Sequence, residues 1–313
     1  MLINMRIHRR ILEKKKKLDG YRPLPHSMIA RLRNELMIEY NYNSNAMEGN
    51  TLTLHETRLA VEEGITVGGK SLKEYLGAKN HPEAIKFVEE LTESGRNIDE
   101  DSVLHLHKLI LNEIDETAGQ YRATGVRIAG AGFMPPPSKE VKPQILMLLK
   151  WLRDNPEELT PIELAAMFHH RFVQIHPFAE GNGRVARLLM NAILMKHGYP
   201  FITNISYGDR KKYLKSLYDA DMGNMSNFVN FIARSVERSL DIYLHALEEP
   251  KKLSLAEASK YTPYSQEYLS LLARKGAIGA FKLGRNWYIT RDELERYVKS
   301  IDVKKHKTKG SIL

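Results

Sequence analysis

The 313-residue chain contains no cysteine and no long apolar run. Without cysteine, neither disulfide bonds nor thiolate metal sites can form, so we expect a protein of the reducing cytoplasm. No stretch reaches the ~18 apolar residues that a transmembrane helix needs, so we expect no membrane partner. The basic N-terminus also lacks the apolar centre and the small-residue cleavage site of a secretory signal, and we expect none.

Acidic residues are scarce in the last part of the chain. From Lys251 onward, 14 Lys and Arg accompany 6 Asp and Glu, which gives +8 of the total net charge of +9. The preceding residues are therefore nearly neutral. Charge that is segregated in this way predicts an acidic partner for the C-terminal segment.

The C-terminal segment has the pattern of a small winged helix-turn-helix domain over residues 250–301. Capping boxes at Ser254 and Thr290 open two short helices, with a helix over 265–275 and two short strands between them. The layout resembles the excisionase-like and MerR-like DNA-binding families, which implies DNA as a partner of residues 251–313. A protein-docking module with a solvated basic face stays open as the alternative.

Hydrophobic periodicity predicts a mainly α protein in four parts. These parts are an N-terminal helical region (1–98), a helical core (99–249), the winged domain (250–301) and a basic tail (302–313).

Within the first two parts, glycine and proline mark the expected element ends. A long helix should run from about Pro25 to Gly49, followed by helical stretches near 54–63 and from about 82 to 94. The stretch GVRIAGAGFMPPPSKEV, residues 125–141, is too rich in turn residues for a long helix. We interpret it as a short β-hairpin.

The stretch IHPFAEGNGRVARLLMN, residues 175–191, carries most of the chemical information. A glycine-flanked loop leads directly into a helix there, and the first N–H groups of a helix form an anion site. Arg184 and Arg187 follow on one helix face, which indicates more than one phosphate. Glu180 is a plausible Mg²⁺ ligand, and His176 is a plausible general base.

Each of these features also has an ordinary structural interpretation. A single histidine is usually structural, and a Gly-Asn-Gly sequence is often only a loop. His169 and His170 invite a metal cluster, which we disfavour because no second acid has matching helical spacing. The combination of His, Phe, acid, Gly-Asn-Gly and two Arg within twelve residues is far more specific than its parts.

This combination resembles the signature HxFx(D/E)GNGRxxR of the Fic family, with every specified position present. The resemblance implies a Fic-type helical core and a protein adenylyltransferase, which moves AMP from ATP to a Ser, Thr or Tyr hydroxyl of a target protein. His176 would take the proton of that hydroxyl. Glu180 would hold Mg²⁺ across the α- and β-phosphates.

The resemblance also assigns the residues around the phosphates. Gly181, Asn182 and the loop amides would hold them, while Arg184 and Arg187 would offset charge on the β- and γ-phosphates. Gly183 favours AMP transfer, because a branch of the superfamily that phosphorylates its targets has Lys there.

Three further positions follow from the same resemblance. Phe178 would pack inward and hold the loop. Tyr213 stands where relatives contact adenine. The hairpin at 125–141 would be the family's flap, which holds the target by main-chain pairing.

Glu48 raises a separate question, because it stands at the C-terminal end of a predicted helix, where the dipole disfavours an acid. Either it belongs to a capping box or it faces a cation elsewhere. Ser44, Glu48 and Gly49 fit the inhibitory motif (S/T)xxxE(G/N) of the Fic family. That resemblance implies an ion pair between Glu48 and Arg187, which would hold the γ-phosphate away.

Three functions therefore stay open at this point. The first is AMP transfer restrained by Glu48, with ATP as substrate. The second is hydrolytic removal of AMP, in which Glu48 positions water. The third is a regulator whose main task is DNA binding by residues 251–313, and a homodimer is left open in each case.

Overall fold

The structure is a computed structural model that describes residues 2–24, 26–66, 68–128, 131, 133–203, 205–248, 252–283, 286–291 and 293–298. The chain divides into two compact units, Met1–Leu244 and His245–Leu313. The predicted basic tail, 302–313, lies outside the described residues.

The first unit is helical, as predicted. Its helices are α1 (Met5–Asp19), α2 (His26–Met47), α3 (Leu54–Arg58), α4 (Leu72–Glu93), α5 (Glu100–Ile110), α6 (Ser138–Asp154), α7 (Pro161–Ile175), α8 (Asn182–Lys196), α9 (Arg210–Asp221) and α10 (Met225–Glu248). A π-helical turn, Leu59–Glu63, continues α3, and a 3₁₀ turn, Tyr207–Asp209, precedes α9. Among the described residues, no helix is both long and apolar enough to cross a membrane.

Helices α7 and α8 form the centre of this unit and pack against each other, with α4 and α5 against α8 and α6 against α7. Both are buried on nearly every side, and about two thirds of their residues are apolar. Thr160 and Glu163 open α7 as a capping box, with Pro161 at its first position. Glu163 also accepts the N–H of Leu2 (2.6 Å) and of Ile3 (3.2 Å), which ties the N-terminal segment to the core.

Helix α4 begins ten residues before the position that the sequence suggested, so the predicted start at Pro82 was wrong. A capping box of Ser71 and Glu74 opens the helix at Leu72, and Pro82 lies inside it. Proline cannot donate to the carbonyl four residues earlier, here that of Ala78. Asn41 of α2 donates its side-chain N–H to that carbonyl instead (2.7 Å). The carbonyl of Ala78 therefore has a hydrogen-bond donor although Pro82 cannot supply one.

The segment 125–141 differs from the predicted hairpin. Residues 138–141 belong to the first turn of α6, and among the described residues of 125–137 none is in a strand. Three consecutive prolines, residues 135–137, explain part of the difference, because they have no N–H to pair with a neighbouring strand. The last of them, Pro137, is the N-cap of α6.

The second unit has the predicted winged layout. Its elements are β1 (Lys252–Ser254), α11 (Leu255–Ala258), a 3₁₀ turn (Ser259–Tyr261), α12 (Gln266–Arg274), β2 (Ala280–Leu283) and β3 (Asn286–Thr290), and residues 293–298 are again helical. The strands form an antiparallel sheet in the order β1-β3-β2. A small core of its own stabilises the unit, with Leu255, Ala258, Leu269, Ala273, Ile278, Ile289 and Leu294 buried.

Candidate active site

His176 ends α7 and lines a cavity at the centre of the first unit. Its backbone is left-handed (φ 51°), which turns the chain out of the helix just before Pro177. The ring Nδ1 lies 3.3 Å from the carbonyl oxygen of Val173. A proton on Nδ1 bonded to this carbonyl leaves Nε2 as the nitrogen that can accept a proton. Burial lowers the pKa of His176, so the ring is neutral at neutral pH.

The loop between α7 and α8 is held in shape by side chains. Asn182 accepts the backbone N–H of Phe178 and donates to its carbonyl, both at 2.9 Å. The fully buried Phe178 ring stacks on His107, with centroids 3.7 Å apart. His107 accepts the N–H of Gly119 at Nδ1, so Nε2 is protonated and donates to the carbonyl of Glu180 (3.1 Å). The sequence contained no signal for His107.

The start of α8 lies at the loop where the sequence predicted an anion site. Gly181 caps the helix with a φ of 80°, a conformation that favours glycine. The side chain of Glu48 lies beside this helix end. Its Oε1 is so close to Gly183 that a Cβ atom added there would clash with it. The carboxylate therefore occupies the positive end of the α8 dipole.

Arg187 is 2% exposed and lies directly beside Glu48. Its Nε donates to Ser44 Oγ (3.1 Å), and Nη2 donates to the carbonyl of Ser44 and to Glu48 Oε1, both at 2.8 Å. Ser44 and Glu48 are one helical turn apart and reach the same guanidinium, which explains the spacing of the motif. The structure thus brings together the two motifs that are 139 residues apart in the sequence.

Glu48 follows the last residue of α2, and Gly49 reverses the chain with a φ of 95°. Partial desolvation acts to raise the pKa of Glu48, whose side chain is 38% exposed, but Arg187, and after it Arg184 and Arg210, outweigh this effect and lower the pKa. Glu48 is therefore an anion at neutral pH. The cations and the start of α8 compensate for its place at the negative end of α2.

Two cavities adjoin at Glu48, which lines both. The larger one, about 390 Å³, is also lined by His176, Gly183, Arg187 and Tyr213. The smaller one, about 190 Å³, is lined by Asn45, Lys73, Glu180 and Arg184 among others.

Arg184 and Glu180 line the smaller cavity. Arg184 is 5% exposed, and burial lowers its pKa against the opposing charges of Glu48 and Glu180. Glu180 pairs with Lys73 Nζ at 2.8 Å. Within the described residues, no group of three or more His, Cys, Asp or Glu side chains could hold a metal. The one carboxylate of Glu180 nevertheless fits Mg²⁺ that arrives with nucleotide phosphates, which supply the other ligands.

Tyr213 lies on α9 and is 3% exposed. Its hydroxyl is 3.0 Å from His169 Nε2, and burial raises its pKa to about 12. Neighbouring His170 bonds Asp221 at 2.8 Å, so the two histidines have separate partners. The ring of Tyr213 nevertheless contributes to the wall of the larger cavity.

Arg122 is a second residue that the sequence did not single out. It is buried, and its guanidinium donates to three separate chain segments, at the carbonyls of Thr124 (2.8 Å), Pro136 (2.5 Å) and His176 (2.7 Å). It therefore fixes the base of the segment 124–136 to the backbone of the candidate catalytic histidine.

Comparison with known proteins identifies the family of the chain. The family model described as Fic/DOC matches residues 97–194, and a helix-turn-helix domain model matches 253–301. The crystal structure of a Fic domain containing signaling protein from Bacteroides thetaiotaomicron superimposes with a TM-score of 0.70 and 32% identity, over 76% of this chain and 96% of that one. The chain belongs to the Fic/DOC family.

Other Fic proteins are similar over most of this chain. A protein adenylyltransferase Fic from Nematostella vectensis is 39% identical over 238 residues, and fic-1 from Caenorhabditis elegans is 34% identical over 255. These matches cover 75% and 80% of this chain but 55% and 50% of the relatives, so the chain spans about half of their length. The solved C. elegans Fic-1 fragment has a TM-score of 0.70 over 77% of this chain and 73% of its own.

Proposed function

We propose that this Fic protein transfers AMP from ATP to a Ser, Thr or Tyr hydroxyl of a target protein. The observation that carries the proposal is the placement of His176, the start of α8 and Arg187 around one cavity of about 390 Å³. That set contains a base, an anion site and a buried cation, which together suit nucleotidyl transfer. The adenylyltransferase names of the relatives support the same reaction.

The nucleotide would lie along this cavity toward Glu180. Tyr213, Leu214 and Tyr218 form an apolar wall that suits the base. The phosphates would lie at the start of α8, where the backbone N–H groups and Arg187 offset their charge. Glu180 would hold Mg²⁺, which neutralises phosphate charge when it is bound.

His176 would carry out the proton transfer. Its neutral Nε2 takes the proton of the target hydroxyl, and the resulting oxygen attacks the α-phosphorus of ATP. The bond from the α-phosphorus to the bridging oxygen breaks, and pyrophosphate leaves with that electron pair. The product is a phosphodiester between AMP and the target side chain.

Glu48 would restrain this reaction. Its carboxylate lies beside Arg187 and over the start of α8, so it occupies the volume that suits the γ-phosphate and repels that group. ATP that binds with a displaced tail has a misaligned α-phosphate, and a misplacement of about 1 Å can cost on the order of 10²-fold in rate.

Two labels distinguish AMP transfer from phosphorylation. The Glu48→Gly variant is incubated with cell lysate and ATP that carries the label on either the α- or the γ-phosphate. Kinases of the lysate transfer the γ-label themselves, so the lysate without the variant is the control. We expect the variant to add α-label to protein and to add no γ-label above that control. Added γ-label without added α-label would assign the chain to phosphoryl transfer and contradict the proposal.

DNA binding is a second function, proposed for the C-terminal unit. The helix-turn-helix match covers 253–301, and α12 is followed by the wing of β2 and β3. Arg274 and Lys275 are exposed at the end of α12, where they can reach phosphates.

A further inference from the structure

A wide groove opens beside the candidate active site. It has a volume of about 840 Å³ and runs between residues 133–136, one face of α6 and the last residues of α7. None of the residues that the proposed AMP transfer requires lines it. The proposed AMP transfer therefore does not account for the groove.

The groove is exposed, and most of its lining residues are apolar. Met134 is 65% exposed and Met147 is 70% exposed, beside the buried side chains of Leu148 and Ile175. Exposed apolar surface in a concave place marks interaction sites, and methionine adapts to differently shaped partners. The groove can therefore bind apolar side chains of different shapes.

One end of the groove is rigid. The guanidinium of Arg171 stacks over the ring of Trp151 at 4.0 Å. Both side chains donate to Glu157 Oε1 at 3.1 Å, which holds them together. The charge of Arg171 is thus paired with Glu157, so no acidic ligand is needed to neutralise it.

The groove adjoins the candidate catalytic cavity. Phe133 lines both, and Ile175 at the end of the groove directly precedes His176. Arg122 connects the two structurally, because it donates to the carbonyls of Pro136 in the groove wall and of His176. A chain segment whose hydroxyl reaches His176 therefore has its neighbouring residues next to this groove.

We propose that the groove selects the target, by binding an apolar side chain of the target protein that lies close to the acceptor hydroxyl in its sequence. The proposal rests on the proposed AMP transfer. Its occupant is a segment of the target, because the groove ends at the histidine that must meet the target hydroxyl. The polar residues of the lining are Glu140, Gln144, Gln174 and the paired Arg171, so the rim disfavours an acidic side chain.

Synthetic peptides with one central hydroxyl residue provide the test. Each flanking position is fixed in turn as Leu, Asp or Lys, and AMP incorporation by full-length Glu48→Gly protein is measured. A Lys peptide labelled as fast as the Leu peptide would mean that the charge of Glu140, and not the apolar surface, sets the preference. At the position that reaches the groove, we expect Leu peptides to be labelled at least about tenfold faster than Asp peptides, because burying one apolar side chain has an effect of that size.

A charge placed in the groove should remove this preference. Adding Met147→Lys to Glu48→Gly should make Asp at that position at least as good as Leu. The matched control is Met5→Lys, at a methionine of α1 that is 63% exposed, and it should keep the preference for Leu. Affinity for ATP should be the same in both variants, which separates target selection from damage to the nucleotide site.

Three further outcomes would overturn the proposal. The first is equal labelling of Leu and Asp peptides at every position, and the second is a preference that survives Met147→Lys while the oligomeric state is unchanged. In the third, Met147→Lys dissociates a dimer without changing the peptide preference, which would assign the groove to a second copy of the chain. If Glu48→Gly labels neither peptides nor lysate proteins, AMP transfer itself fails, and that result is distinguishable from the other three.

Discussion

At the scale of single residues, Arg187 shows how a buried cation is stabilised in this protein. It is almost fully enclosed, and its donors reach Ser44 twice and Glu48 once. A buried charge needs partners of this kind, because an unpaired one is strongly destabilising. In the proposed reaction, the γ-phosphate of ATP would replace Glu48 as the anion beside Arg187.

The role of His176 predicts a specific defect. His176→Ala in the Glu48→Gly background should lower AMP transfer by about 10²–10⁴-fold, the usual effect of losing a general base. ATP affinity should stay within about twofold, because the start of α8 and Arg187 hold the nucleotide. Labelling with α-labelled ATP measures the first quantity, and calorimetry measures the second. Turnover close to that of the parent variant would rule out His176 as the base.

The pKa of His176 predicts the pH profile. Burial lowers this pKa below its ordinary value, whereas the charge of Glu48 acts to raise it. In the Glu48→Gly variant the pKa should therefore be lower still. The rate of AMP transfer should be flat around neutral pH and should fall tenfold per unit below the pKa, as the imidazole becomes protonated. A rate that still rises between pH 7 and pH 8 would mean that another group limits the reaction.

The residues that surround the motif show what the sequence could and could not predict. The resemblance to a family motif indicated Glu48 and Arg187, and the ion pair between them is present. His107 and Arg122 were missed, because they act on backbone carbonyls that only the tertiary packing brings near them. A donor to a carbonyl leaves no pattern in the sequence.

At the scale of elements, α4 shows how a neighbouring helix can accommodate a proline. The sequence predicted a helix start at Pro82, since proline is common in the first turn. The structure places it in the helix interior, where Asn41 of α2 donates to the carbonyl of Ala78. A contact 37 residues away in the chain is not visible in local sequence patterns, which is why the start was predicted wrongly.

This contact predicts an energetic coupling between Asn41 and Pro82. Asn41→Ala should lower the free energy of unfolding by about 1–3 kcal/mol, because it leaves the buried Ala78 carbonyl without a donor. In that background, Pro82→Ala restores an N–H four residues after Ala78. Pro82→Ala should therefore raise the free energy of unfolding by at least about 1 kcal/mol more in the Asn41→Ala background than in the wild-type chain. Urea unfolding of the four proteins measures the coupling, and additive effects would contradict this account of α4.

The segment 125–141 also differs from the structure that its sequence predicted. Alternating residues and glycines suggested a hairpin, but a run of prolines leads into α6 instead. The winged unit was easier to predict, because its helix starts are marked by side-chain caps. Ser254 caps α11 as predicted, and α12 lies within the predicted residues 265–275 with Ser265 as its cap. Strands β2 and β3 are the two strands that the sequence predicted after this helix.

At the scale of the whole molecule, charge is divided between two parts of the chain. Residues from Lys251 onward carry +8 of the net charge of +9, and the residues before them are nearly neutral. Phosphate contacts release counterions, so binding by a basic module to DNA weakens as salt rises. The distribution therefore separates the proposed DNA contact from the proposed chemistry.

The full-length chain should bind duplex DNA with an affinity that falls steeply with salt. Arg274→Ala combined with Lys275→Ala should reduce the slope of log affinity against log salt by about 1.8, since each phosphate contact contributes about 0.9. Arg9→Ala combined with Lys16→Ala removes the same charge from exposed positions of α1 and should leave the slope unchanged. The absence of any complex at low salt would favour a protein-docking module.

The central claim is that Glu48 restrains AMP transfer by occupying Arg187. The most direct measurement is incorporation of α-labelled ATP into protein by the wild-type chain, by Glu48→Gly and by Glu48→Gly with Arg187→Ala. We expect Glu48→Gly to raise incorporation at least about tenfold, roughly 1.4 kcal/mol of barrier, and Arg187→Ala to cancel the gain. Glu63→Gly, at an exposed acid outside the site, should behave like the wild type. Unchanged or lower incorporation by Glu48→Gly would contradict the account and favour a hydrolytic role for Glu48.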